Sequence, residues 1–190
     1  MDFKKLSELV LRQCVFIILN IYAVSKIFGG QFYMNGKLPA EVANTTLGDA
    51  SGFALAWTFM GHSYLYILFV GLSQLAGAWM LLWNKTKVLG VAILIPIMIN
   101  IILFDLIFLD VYPALANAII VFSMLLMILY LNKEKVEEAF KELTNFPTSE
   151  APLKRRLITF GVTVVVMVLI FTFDSLIEHW FGASLEKIIE

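Results

Sequence analysis

Apolar residues run almost unbroken through five stretches of the chain: Leu9–Phe28, Gly61–Trp83, Val88–Phe108, Pro113–Leu131 and Leu157–Ile177. Each is close to the ~20 residues an α-helix needs to cross ~30 Å of hydrocarbon. A water-soluble helix keeps a polar face opposite its apolar stripe, whereas these runs are apolar nearly all round. The pattern predicts an all-α integral membrane protein with five spans in one domain, residues 1–190. Two of the connections, Asn84–Lys87 and Leu109–Tyr112, are tight turns. They force the second, third and fourth spans to pack as antiparallel neighbours.

The other two connections are long. Residues 29–60 form an outer loop that opens with Gly29-Gly30 and contains Pro39, Gly48 and Gly52. Its stretch Phe53–Phe59 is apolar and aromatic, which predicts that it lies in the membrane interface or folds back over the mouth of the bundle. Asn44-Thr45-Thr46 matches a glycosylation sequon, a three-residue match that arises readily by chance. Residues 132–156 form a cytoplasmic loop. Lys133–Leu143 reads as a charged helical extension of the fourth span, Pro147 and Pro152 mark a linker, and Lys154-Arg155-Arg156 reads as a topology anchor at anionic headgroups.

Composition agrees with the pattern, at 60% hydrophobic and 15% charged residues; soluble domains are nearer half apolar and a quarter charged. The net charge of −1 points to no nucleic-acid partner, but its distribution orients the chain. With the N-terminus inside, the cytoplasmic side holds Lys4, Lys5, Arg12, Lys85, Lys87, Lys133, Lys135, Lys141, Lys154, Arg155 and Arg156. The outer side holds Lys26, Lys37 and Lys187, so the fourteen Lys and Arg divide eleven to three. Positive residues stay on the cytoplasmic side during insertion, which predicts N-terminus in and C-terminus out. Ala23 and Ser25 give the first span some likeness to a signal peptide, but Arg12 and Asn20 interrupt the run, so an uncleaved span is expected. Cys14 is the only cysteine; no internal disulfide or CxxC pair exists, and it reads as a small buried hydrophobe.

Polar groups at membrane depth are costly, so they normally face a bundle interior or a cavity. Counted from the span ends, Asn20, Gln74, Asn100 and Ser123 fall near the midplane of four different spans. An outer layer gathers Lys26, His62, Tyr64, Tyr66, Asp105, Asp110, Asn117, Asp174, Glu178 and His179. His62 and Tyr66 are four apart and share a helix face, as do Asp174 and Glu178. Two readings stand for the midplane layer: hydrogen-bonded glue between helices, or a ligand site. Arg12, one turn into the first span, either snorkels or pairs with an inward acceptor. Pro96 removes a backbone donor four residues before Asn100 and tends to kink the third span.

Enzyme signatures are mostly missing. There is no P-loop, HExxH or GxGxxG. Two histidines 117 residues apart without supporting cysteines give no basis for a metal site, and little for haem. Ser73, Ala76, Gly77 and Ala78 mark the second span as a close-packing helix.

The first four spans resemble the DoxX-like family of small bacterial inner-membrane proteins. Arg12 and Lys26 are similar to the arginine–lysine pattern that opens many of its members. Gly71-Leu-Ser-Gln-Leu-Ala-Gly77-Ala-Trp-Met-Leu-Leu, Thr86-Lys-Val-Leu-Gly90 and Pro96-Ile-Met-Ile-Asn100-Ile resemble its second span, next turn and third helix. The likeness covers about residues 9–131, with Gln74 where an acidic residue is typical. It implies an antiparallel four-helix transmembrane bundle, to which Leu157–Ile177 adds a fifth, C-terminal transmembrane helix, in the bacterial inner membrane. It also implies an association with quinone-linked or oxidative-stress systems.

The leading functional expectation is an accessory membrane subunit that binds an apolar ligand, such as a quinone or a lipid, in the bundle. The ligand would meet His62, Tyr66, Gln74, Asn100 or Asp105, with Trp57 in the loop over the mouth and Asn20, Arg12 and Lys26 completing the polar set. The alternatives are a membrane-embedded enzyme on a lipophilic substrate, with His62 or Asp105 as acid or base and Tyr66 as donor, and a structural or assembly partner of another membrane protein.

Overall fold

A computed structural model describes residues 3–109, 111–145 and 152–189, with side chains to residue 177 and at Trp180. The chain is 80% helical, and no strand occurs among the described residues. It divides into two compact units, Met1–Leu143 and Thr144–Glu190.

In the first unit, α1 (Phe3–Ile27), α4 (Tyr64–Met80), α5 (Lys87–Phe108) and α6 (Tyr112–Leu131) form a ring in which α1 packs on α4, α4 on α5, α5 on α6, and α6 back on α1. Short turns at 81–86 and 109–111 make successive helices antiparallel. Val15 and Leu19 of α1 meet Ala78, Leu81, Val91, Leu94, Met98, Val121, Leu125 and Ile128 in the core. The outside is as apolar as the inside: Ile17, Ile21, Leu65, Phe69, Leu106 and Ile107 are all exposed. The buried residues include Arg12, Lys26, Gln74, Lys87, Asp105 and Asn132. That inversion suits a lipid surround, in which bundles are held by packing and internal polar contacts.

The α4–α5 contact is backbone-close. A Cβ on Gly90 would lie 2.8 Å from the Gly77 carbonyl oxygen, and one on Gly77 would lie 2.6 Å from Leu94 Cγ. Small residues there let the helices touch near the turn, and Pro96 then interrupts the hydrogen bonding of α5 further along.

Helix α4 falls within the sequence-based second span, Gly61–Trp83. Before it, within the outer loop, stands a separate helix, α3 (Gly52–Gly61), bent 91° from α4 at residues 62–63. The aromatic stretch Phe53–Phe59 is thus a helix folded back against the bundle, where α3 packs on both α4 and α5. Ser51 caps α3 by accepting from the Ala54 N–H. The loop backbone clamps it: Tyr33 N–H donates to Trp57 O, and Asn35 N–H to Gly61 O, each at 3.3 Å. A single turn, α2 (Ala40–Ala43), lies earlier in the loop.

Helix α7 (Lys133–Thr144) confirms the charged extension after the fourth span. In the second unit, α8 (Leu153–Ile189) is one helix of 37 residues whose segment Leu153–Ile177 is long and apolar enough to span. Among the described residues four helices (α1, α5, α6 and α8) are long and apolar enough to span, or five spans if α3 and α4 count as one. The protein is a multi-pass helical membrane protein.

Candidate functional site

The two ends of the four-helix ring carry different polar chemistry. At one end Arg12 reaches inward instead of snorkelling. Its Nε donates to the Leu81 carbonyl oxygen at the end of α4, and its Nη1 to Asn84 Oδ1 at 2.7 Å. Glu8 Oε1 lies 3.5 Å from Arg12 Nη1 and 2.5 Å from Lys87 Nζ. Arg12 therefore satisfies a carbonyl that α4 cannot satisfy internally, at the negative end of its dipole, while Glu8 bridges it to Lys87. Every partner is protein, so this end is a lock joining α1 to the α4–α5 turn.

The opposite end is less complete. Lys26, in the last turn of α1, is 5% exposed, and its Nζ donates to Gln74 Oε1 at 2.7 Å. Helical side chains lean toward their own N-terminus. Lys26 and Asp105, near the C-terminal ends of α1 and α5, therefore lean into the bundle, while Gln74 on antiparallel α4 leans toward them. Asp105 is 8% exposed. Among the described residues no hydrogen bond or ion pair within 4.0 Å reaches its carboxyl, although the Lys26 ammonium is near enough to act on it electrostatically. Gln31, in the loop after α1, has a buried Oε1 without a hydrogen-bond partner. Unpaired buried polar atoms cost free energy in any low-dielectric setting, so they mark a place where something else supplies the partner.

Two apolar cavities meet at these atoms. One is a chamber of about 350 Å³ between α1, α4, α5 and α6, with Leu19, Tyr22, Met98, Ala118 and Val121 among its walls. The other is a groove of about 590 Å³ between α4 and α5, walled by Phe69, Val70, Ser73, Ile93, Pro96 and Ile97. Lys26, Gln31, Trp57, Ile101 and Asp105 line both. Helix α3 roofs the junction: the Phe53 and Trp57 rings stack at 4.3 Å, and Phe32 meets Trp57 edge-on at 5.5 Å.

The residues singled out in the sequence thus separate. Lys26, Trp57, Gln74 and Asp105 come together at the chamber, and Tyr66 and Asn100 line the groove. His62 is exposed at the end of α3 and lines a different pocket in the outer loop, with Leu38, Val42, Thr58 and Tyr66. Arg12 belongs to the lock at the other end, fourteen residues and about 21 Å of helix from Lys26. Asn20 lines neither cavity; its Oδ1 accepts from Trp79 Nε1 at 3.1 Å and its Nδ2 donates to Phe16 O, joining α1 to α4. Ser123 bonds back to Ile119 O in its own helix. The expected midplane belt is therefore dispersed: only Gln74 bonds across helices into the outer layer. Asp110 and the side chains of Glu178 and His179 lie outside the described residues, as does Pro147. Gln31 went unnoticed in the sequence, being a lone amide in a long loop, whereas Phe53 was marked only as one end of the aromatic stretch Phe53–Phe59.

The chain is 32% identical over 130 residues to the uncharacterized protein YwoB of Bacillus subtilis (strain 168), an alignment covering 67% of this chain and 79% of that protein. The chain belongs to the YwoB family. No protein-family profile and no solved structure matches it. Kinship with YwoB therefore brings no assigned chemistry, and the functional reading rests on the Lys26 junction.

Proposed function

We propose that this protein binds an apolar, quinone- or lipid-like ligand inside its bundle, as an accessory subunit of a membrane redox or stress system in the bacterial inner membrane. The carrying observation is the junction itself. A buried lysine, the carboxyl of a mostly buried aspartate with no hydrogen bond or ion pair among the described residues, and a buried unpaired amide oxygen converge where two apolar cavities meet under an aromatic roof. Helix glue would leave these groups bonded to one another, as Asn20 is to Trp79. Concave, mostly apolar sites of ~300–1,000 Å³ with a few convergent polar groups are the usual form of small-molecule sites. The enzyme alternative loses its histidine, because His62 lines the loop pocket instead.

The eleven-to-three division of Lys and Arg favours an orientation with the Arg12 lock inside and the Lys26 junction outside. The accessory role rests on the DoxX-like resemblance over residues 9–131.

Mass spectrometry of organic extracts from detergent-purified protein tests the binding. The expected result is a small lipophilic molecule near one per protein in the wild type, reduced by about tenfold or more in Lys26→Met, where a buried hydrogen bond to a charged donor is lost. Asn20→Ala, which alters only the α1–α4 link, keeps it. Bulk lipid alone, equal in all three proteins, would discard the ligand reading.

A further inference from the structure

Building on that reading, we infer that the occupant is a lipid whose head is a hydroxyl-bearing ring, a long-chain phenol or quinol, with its chain leaving between α4 and α5. The polar atoms at the junction divide by role. Lys26 Nζ offers donors and has given one to Gln74. The Asp105 carboxyl and Gln31 Oε1 offer acceptors and have no partner among the described residues. Lys26 and Asp105 line the same two cavities without pairing, so the space between them suits a group that accepts from one and donates to the other. A hydroxyl does both through one oxygen. A carboxylate or phosphate only accepts and would set a second acid beside Asp105. An ammonium only donates and would face Lys26.

The cavities fix what lies on either side of that oxygen. The chamber lies between α1, α4, α5 and α6 under the Phe53–Trp57 stack, which gives a compact ring flat aromatic neighbours. The groove opens outward along the α4–α5 face, where Phe69, Pro96 and Asn100 are exposed. Its far end is closed by the Gly77–Gly90 contact. A chain lying there continues into the bilayer, so its length is unrestricted; the chamber, at about 350 Å³ against about 590 Å³ for the groove, is the smaller of the two and has its own exposed rim at Tyr22, Val111 and Asn117.

The test uses the full chain purified in detergent, with thermal unfolding followed against added long-chain alkylphenol, its methyl ether, and a fatty acid and fatty amine of equal chain length. Each probe's stabilisation yields an apparent Kd. A site that hydrogen-bonds a hydroxyl rejects the analogue lacking it, so the phenol is expected to bind at least about tenfold more tightly than the ether. The acid and the amine bind more weakly than the phenol. In the double variant Asp105→Leu, Gln31→Leu the phenol's advantage over the ether shrinks to about twofold or less, since the acceptors are gone. If that variant does not fold, the wild-type ratio decides. Equal binding of phenol and ether, or tightest binding by the acid or amine, overturns the head-group assignment. A phenol carrying a mid-chain diazirine should label residues 66–73 or 93–104; labelling of 114–121 overturns the chain's path. If no probe binds while a native lipophile still co-purifies, the hydroxyl assignment fails and the binding bundle stands. If neither binds, both fall.

Discussion

Arg12→Ala is expected to lower the unfolding free energy by about 3–5 kcal/mol, the cost of breaking a buried ionic contact by removing one partner. The guanidinium holds two acceptors at once, the Leu81 carbonyl through Nε and Asn84 Oδ1 through Nη1, and lies 3.5 Å from Glu8. Alanine leaves the carbonyl of fully buried Leu81 without its donor, in a site that is 4% exposed at Arg12 itself, and strips Glu8 of one of its two cations. Arg12→Lys restores little, because a single ammonium cannot reproduce the fork that addresses two acceptors in different directions. Reversible denaturation in detergent micelles, followed by far-UV circular dichroism, measures the loss. A variant within about 0.5 kcal/mol of wild type, the range of ordinary surface changes, would mean that the lock contributes no stability.

Gly61→Ala is expected to damage both stability and ligand content. A Cβ there would fall 1.9 Å from the Tyr33 carbonyl oxygen and 2.5 Å from its carbon, both backbone atoms that no rotamer change can move aside. The loop must lift from α3, taking with it the Tyr33–Trp57 and Asn35–Gly61 hydrogen bonds and displacing Gln31 and Phe32. Overpacking of this kind costs about 1–3 kcal/mol or more. Lifting the loop also opens the roof over Lys26, so co-purifying lipophile should fall together with melting temperature. Gly36→Ala is the matched control: a Cβ there meets nothing within 4 Å, although φ of +77° carries a backbone cost. Wild-type stability and wild-type ligand content in Gly61→Ala would contradict the placement of α3 against the loop.

Helix existence was legible where a span is bounded by strong local signals. α5 and α6 begin and end within one residue of the apolar runs 88–108 and 113–131, because Lys87, Pro113 and Asn132 punctuate them. α1 starts six residues earlier than its run, since Phe3–Glu8 is helical although charged. The start of the second span was legible to within three residues, with the run counted from Gly61 and α4 beginning at Tyr64, and the aromatic stretch Phe53–Phe59 does fold back; that it does so as a helix bent 91° from α4 was not. What bends the chain there is tertiary: Gly61 admits the Tyr33 backbone, and the loop then holds α3 down.

The site was legible in part for a related reason. Lys26 and Asp105 stood out as charges near span ends, and Trp57 as an aromatic beside the mouth. Depth counted along each span from its own end placed Gln74 in a different layer from Lys26. A long lysine side chain leaning back along α1 brings the two within 2.7 Å, which one-dimensional counting does not register. Gln31 joins them only through the fold of the loop.

The most direct test of the bound ligand is a high-resolution cryo-electron microscopy map of the full chain in lipid nanodiscs, with a rigid binder added to give sufficient mass. The account predicts elongated non-protein density that contacts Lys26 Nζ and the Asp105 carboxyl and extends between Phe69 and Ile97. Lys26 and Asp105 drawn into a direct ion pair, with Trp57 collapsed into the chamber and no density beside them, would contradict it.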